Sequence, residues 1–278
     1  TLLRVKYALT STSGTTAIFL GLKALNLKPN DEVLVPNITF QATANAVSLA
    51  GFKPVLVDVN HTNNLICLKS LKKKITNKTK VIIPVHVSGR GNNIKEICKI
   101  AKKNKIDVIE DSAEAFMSKY ESKFLGTYGK IGCYSFAPNK IITMGQGGLI
   151  VTNDKKIYKK LLKLRDQGRT NSVMTGEDEY DTIGFNFKIT NMQGALGISQ
   201  LRDIKSRIKI LKKNYKFYKD NLITNKNFKI IQFNIKKGEV PLWVDISCSK
   251  RNKLYNYLRN KEIYCRYYWK PLNTTKPY

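Results

Sequence analysis

Lys140 has the setting of an amine used for covalent chemistry: it sits inside Gly132 to Gly148, behind a short apolar run and ahead of a glycine cluster. Cys133 to Phe136 reads as a buried strand and Pro138 ends it. Gly145, Gly147 and Gly148 let the backbone pass close to a bulky group. Ser135, five residues before the lysine, can turn its hydroxyl toward the same place. An amine acting as a nucleophile must lose its proton, which partial desolvation favours, and it can then form a Schiff base with a carbonyl. The chain holds 40 lysines, so the surroundings and not the residue type single this one out.

Two further stretches offer partners for such chemistry. Ser11 to Thr15 is a small, hydroxyl-rich turn that opens the helical pattern of Thr16 to Leu25. The first N–H groups of a helix lack intrahelical acceptors and the helix dipole favours an anion there, which makes a phosphate cradle; an ordinary N-cap uses the same residues. Asp111 follows the apolar run Asp107 to Ile109. It reads either as a helix cap or as a carboxylate held against a cationic ring nitrogen, the partnership used by pyridoxal phosphate enzymes. Phosphate turn, aspartate, then lysine 29 residues later is the order of that cofactor's aminotransferase-type fold.

Short apolar strands alternating with helices must position these groups. Strands are expected at Tyr7–Thr10, Glu32–Val35, Lys53–Val59, Val81–Val87 and Asp107–Ile109, with helices at Phe40–Ala50 and Asn92–Asn104. This alternation predicts a mostly parallel sheet covered on both faces, with ligands bound beyond the carboxyl ends of the strands. Gly14, His86, Asp111 and Ser135 all lie at such ends and are expected to share one crevice. A long basic helix from Asp203 to Asn221, a strand at Val240–Ile246 and a helix at Lys250–Asn260 follow. The expected division is a large domain over 1–205 and, over 206–278, a linking helix with part of a small C-terminal domain.

At 278 residues, 42% of them hydrophobic, the chain has the composition of an ordered globular protein. No apolar run is long enough to cross a bilayer, no secretory signal precedes the first strand, and a cytoplasmic location is expected, without membrane contact. Five scattered cysteines have no metal-ligand spacing, so they are read as reduced thiols and no metal site is expected. The net charge of +29 raises the possibility of a nucleic-acid binder. Its lysines, however, fall in short groups at the polar positions of amphipathic helices, as in Lys72 to Lys74 and Lys212 and Lys213, and no nucleic-acid motif accompanies them.

Many ordered blocks together resemble the DegT/DnrJ/EryC1/StrS family of pyridoxal-phosphate-dependent nucleotide-sugar aminotransferases. They are Ser13 to Ala17, Asp31 to Pro36, Thr39-Phe40 with Ala42 to Ala46, Lys53 to Val55 with Asp58, and Pro84 to His86 with Gly89. Ile109 to Ala115, Gly129 to Lys140, Gly145 to Gly148, Arg165-Asp166 with Gly168, Gly184 to Phe187 and Asn191 to Gln193 with Ala195 complete them. The resemblance runs to about Leu201 and implies the type I, aspartate aminotransferase-like α/β fold.

It implies that Lys140 forms the Schiff base with pyridoxal 5′-phosphate and that Asp111 bonds the ring nitrogen. Phe40 would lie against the ring, Gly14, Thr15 and Ser135 would hold the phosphate, and Asn186 would reach the cofactor of a neighbouring subunit in a homodimer. Glu114 stands near the ring's phenolic oxygen, where much of the family has glutamine, and needs a proton or a cationic partner there. The pattern is similar to the branch that makes GDP-perosamine. It implies transfer of an amino group from L-glutamate to the 4-keto carbon of a nucleotide-linked 4-keto-6-deoxyhexose, in surface-polysaccharide synthesis. Lys140 argues against the dehydratase branch, which has histidine in its place. Gln146 replaces a usual acidic residue. Relatives extend beyond both ends, so the chain is expected to be truncated, and a noncatalytic member of the fold is the rival expectation.

Overall fold

A computed structural model describes residues 2–91, 93–170 and 179–278. β1 (Tyr7–Ser11) runs into α1 (Gly14–Ala24) through a capping box: the Ser13 hydroxyl accepts from the Thr16 N–H at 3.1 Å, and the Thr16 hydroxyl accepts from the Ser13 N–H at 2.9 Å. β2 (Glu32–Pro36), α2 (Ala42–Leu49), β3 (Lys53–Val57), α3 (Leu68–Lys74), β4 (Thr79–Ile82), α4 (Ile94–Lys103) and β5 (Asp107–Asp111) follow as alternating units. A small hairpin, β6 (Lys119–Tyr120) and β7 (Lys123–Phe124), precedes β8 (Ile131–Ser135), β9 (Gly148–Thr152) and α5 (Lys155–Arg165). The remainder is α6 (Asn191–Arg202), α7 (Ile204–Asn221), β10 (Phe228–Ile230), β11 (Ile246–Cys248) and α8 (Arg251–Asn260). Asn92, where the sequence pattern starts the fourth helix, lies outside the described residues.

Seven strands form one sheet in the order β1-β9-β8-β5-β4-β2-β3, with β9 antiparallel to both its neighbours and every other pair parallel. Alternate side chains go to opposite faces, so Val33 and Val35 join Ile18, Leu20 and Val47 of α1 and α2 on one side. Leu34 packs on the other side with Leu71, Ile94 and Ile97 of α3 and α4. Both faces are thereby covered, as a parallel sheet requires. The lysines of α3 and the Lys102-Lys103 pair of α4 are exposed, which accounts for much of the basic charge as solvated helix surface. Among the described residues, no helix is long and apolar enough to cross a membrane.

The third expected strand stops at Val57, two residues early, and two others differ more. Regular pairing in the fourth stops at Ile82, because Pro84 has no N–H to give; beyond it a single bridge joins Val85 to Asp111, with the Asp111 N–H on the Pro84 carbonyl at 3.0 Å. Val240 to Asp245 is not a strand. The Val240 N–H goes to the Ser118 hydroxyl at 2.8 Å and the Leu242 N–H to the Ser88 carbonyl at 2.9 Å, so the segment is tied to the main sheet's loops. Only Ile246–Cys248 pairs, with β10.

That tie is reinforced by a buried cation. Arg90 gives an Nη1 hydrogen bond to Asp245 at 2.6 Å and an Nη2 bond to the Tyr268 hydroxyl at 3.3 Å, and its guanidinium lies 5.0 Å over the Phe233 ring. Gly89 makes the approach possible: its φ is +96°, and a Cβ there would run into the Val240 carbonyl oxygen. Gly89→Ala is expected to lower stability by about 3 kcal/mol, from positive-φ strain plus a backbone clash. Gly51, with φ +87° and open space around it, is the control: Gly51→Ala carries only the strain, about 1 kcal/mol. Denaturant midpoints of the two variants separate the effects, and equal losses would show that Val240 gives way freely.

Candidate active site

Asp111 ends β5 and is buried. Its Oδ2 accepts from the Thr43 hydroxyl at 2.8 Å and its Oδ1 from the Ala113 N–H at 3.1 Å. Burial pushes its carboxyl above the usual range; the Thr43 and Ala113 bonds and the positive charge of Lys140 oppose that rise. A buried carboxylate held by two neutral donors retains room for a charged one. Thr43 is itself oriented by Thr39, whose hydroxyl lies 3.0 Å away, so α2 enters the site through a two-threonine relay.

Lys140 comes from the loop after β8, near enough for its charge to act on Asp111. Its Nζ is 3.1 Å from Oε1 of Glu114, and the two side chains are 12% and 8% exposed. The cationic partner that Glu114 needs is therefore Lys140. The Ser88 N–H donates to Glu114 Oε2 at 2.8 Å, and the Trp243 indole N–H to Oε1 at 3.3 Å. Ser88 takes a positive φ, 55°, to aim that N–H. Glu114→Gln leaves a single acceptor oxygen where Lys140, Ser88 and Trp243 all donate. A loss of about 2 kcal/mol is expected for the cofactor-free protein, read from its denaturant midpoint; an unchanged midpoint would mean that the pair contributes nothing.

The phosphate-cradle residues also converge. A Cβ on Gly14 would lie 2.8 Å from the Cβ of Ser135, so the first turn of α1 abuts the end of β8. Among the described residues, no acceptor meets the N–H groups of Gly14 and Thr15. Gly148, paired with Ser11 and Ser135 across the sheet, would drive a Cβ into the Ser13 carbonyl. That glycine makes room for protein backbone and not for a ligand. Phe40 stands just before α2 with 61% of its surface exposed, unusual for an aromatic next to a buried carboxylate relay.

His86 does not join the crevice. It is fully buried with Nε2 2.9 Å from Glu110 Oε2, and Glu110 also accepts from the N–H groups of Gly126, Tyr128 and Gly129. Glu110 is the neighbour of Asp111 in one strand and so faces the opposite side. This cluster shapes the 126–129 loop behind the site. An open groove of about 630 Å³, lined by Asn37, Asp58, Asn60, His61 and Lys69 among others, contains neither Lys140 nor Asp111. Gln146 is exposed, and its carbonyl accepts from the Gln193 side chain at 2.9 Å. Trp243, Thr43 and Ser88 were not singled out by sequence reasoning. Only Thr43 stands within a recognised block, and nothing local marks the other two.

The family model for DegT/DnrJ/EryC1/StrS aminotransferases matches residues 1–278. The chain belongs to this family. It is 36% identical to the GDP-perosamine synthase of Escherichia coli O157:H7 over 99% of its own length and 75% of that protein's. It is 39% identical to the GDP-perosamine synthase of Caulobacter vibrioides over 78% of its length, an alignment that takes in 58% of that relative. Among solved structures it superposes on the E. coli GDP-4-keto-6-deoxy-D-mannose-3-dehydratase with bound hydrated PLP at a TM-score of 0.88 and 29% identity, covering 95% of this chain and 74% of that one. The mostly parallel seven-stranded sheet is that of the type I aminotransferase fold. By family the chain is a pyridoxal 5′-phosphate-dependent aminotransferase.

Among the described residues, Asn186 has no hydrogen bond to Lys140, Glu114 or Asp111; it is exposed, on an extended segment that bridges to Asp166. Nearby Ile183, Met192 and Ile198 are exposed apolar side chains.

Proposed function

We propose that this aminotransferase moves an amino group from L-glutamate to the 4-keto carbon of a nucleotide-linked 4-keto-6-deoxyhexose, with GDP as the nucleotide, in cytoplasmic synthesis of surface-polysaccharide sugars. The observation that supports the site is proximity: the Lys140 amine pairs with Glu114 and its charge acts on the buried carboxylate of Asp111 ending β5, while the first turn of α1 abuts Ser135 at the end of β8. The perosamine synthase likeness supports the substrate.

The residues present fit pyridoxal 5′-phosphate. Gly14 and Thr15 N–H groups, with the Ser135 hydroxyl, bind its phosphate. Asp111 accepts from the ring nitrogen and keeps it protonated, and Phe40 covers a ring face. Glu114 stands by the phenolic oxygen. When bound, the cofactor supplies the electron sink that makes the donor's alpha proton removable. Lys140 would hold the cofactor through Nζ and would be placed to take the proton from the donor's alpha carbon. Glu114 receives the Lys140 ammonium whenever Nζ carries a charge, so the proton stays beside the reacting centre. Asn186 completes the phosphate site of a second subunit, and the exposed apolar side chains of α6 lie in the homodimer interface. Residues 1–205 form the cofactor domain and 206–278 the linking helix with part of a smaller one.

The test incubates the cofactor-loaded protein and glutamate with GDP-, UDP- and dTDP-linked 4-keto-6-deoxyhexoses and reads the mass of the product. An amino sugar from the GDP compound is expected. Absence of amine product from every member of the panel would overturn the substrate assignment.

A further inference from the structure

Trp243 is a large apolar side chain that the fold holds rigidly at the reacting centre and leaves 38% exposed. Its indole N–H is fixed on Glu114 Oε1, the oxygen that faces Lys140 Nζ. The backbone around it is pinned on both sides: Val240 on Ser118 and Leu242 on Ser88 before it, and Asp245 on Arg90 after it. Val240 and Leu242 just before it are buried, whereas Trp243 is exposed. An indole tethered by its N–H and free on its ring presents a flat apolar face beside the amine that reacts.

We propose that this face is the wall against which the hexose ring of the acceptor packs, which makes Trp243 a substrate-positioning residue specific to the sugar half of the reaction. The inference rests on the sugar aminotransferase reading. The two substrates differ in what they ask of such a wall. Glutamate brings two carboxylates, which gain nothing from an indole and are repelled by Glu114 at its edge. A hexose is neutral, and its C–H face carries the slight positive charge that the indole's negative π surface attracts. The Glu114 bond sets the plane of the wall relative to Lys140, so that a carbonyl carbon on the ring stacked there meets the amine. Segment 238–245 thereby carries acceptor recognition into a site whose cofactor residues all come from the first 140 residues of its own chain.

The chain has two tryptophans, Trp243 and Trp269, so Trp269→Phe leaves the indole of interest as the sole one. In that background, GDP-mannose, UDP-glucose and dTDP-glucose are titrated against the cofactor-loaded protein, each beside its bare nucleoside diphosphate. A change in Trp243 fluorescence is expected with a hexose nucleotide and not with the bare diphosphate. In steady state, Trp243→Ala is expected to raise the acceptor KM by about tenfold while leaving the glutamate-driven change in cofactor absorbance within about twofold of wild type. Trp243→Phe, which keeps a ring but cannot bond Glu114, recovers part of the loss. Fluorescence unmoved by every hexose nucleotide, or a glutamate KM that rises as much as the acceptor's, overturns the inference. Failure of the wild type to aminate any keto sugar while the fluorescence responds would instead count against the substrate assignment alone.

Discussion

Lys140→Ala is expected to leave a folded protein that binds pyridoxal 5′-phosphate without attaching it and loses amino transfer by about 10⁴-fold. The two effects have one origin in the proposed mechanism, where Nζ is both the anchor of the cofactor and the base that moves the alpha proton. Removal also leaves Glu114 buried without its cation, although the N–H groups of Ser88 and Trp243 still reach its two oxygens. The variant should therefore fold, with a modest fall in melting temperature. Absorbance after borohydride reduction and dialysis, followed by peptide mapping, gives the decisive reading: wild type keeps the label on the peptide containing Lys140 and the variant keeps none. Label retained elsewhere in the variant, with activity, would place the reacting amine at another lysine.

Asp111→Asn separates stability from function. Burial raises the folded-state pKa of this carboxyl above its unfolded value, so the folded chain binds the proton more tightly. Stability then falls as pH rises between the two values, and above the folded value the full cost of a buried charge is present. At pH 7.5 the cofactor-free variant, with no charge to bury, is expected to be more stable than wild type by about 1 kcal/mol, and the gap should close as the pH drops below the folded value. Activity moves the other way: with no anion to keep the ring nitrogen protonated, a loss on the order of 10³-fold is expected. Added cofactor should raise the melting temperature of wild type more than that of the variant. A cofactor-free variant less stable than wild type at pH 7.5 would show that Thr43 and Ala113 already compensate the charge.

Local signals carried the cofactor residues and the layout of the sheet. The N-cap at Ser13 and the apolar run into Asp111 depend on neighbours a few positions away and formed as the sequence reads, while the strand ending at Ser135 begins two residues earlier, at Ile131–Ser135, than its apolar run suggests. Periodicity alone did less well where the partner decides. Val240 to Ile246 has strand-like residues, yet its N–H groups found Ser118 and Ser88 instead of a sheet. β9, with Gly148 at its head, passed unread because its antiparallel place between β8 and β1 leaves no pattern of its own.

From the amino acids alone come the fold family and the proposal of Lys140 and Asp111 as the reacting pair, because spacing, turn chemistry and recurring blocks are written in one dimension. Only the folded chain decided that Glu110 turns to His86 while its neighbour Asp111 turns to the site, since adjacent residues of a strand face opposite ways. The fold likewise put Lys140 on Glu114 and brought Trp243 to the same carboxylate from 129 residues away. Contacts of that kind arise from how loops from separate elements are packed together, and no stretch of sequence contains them.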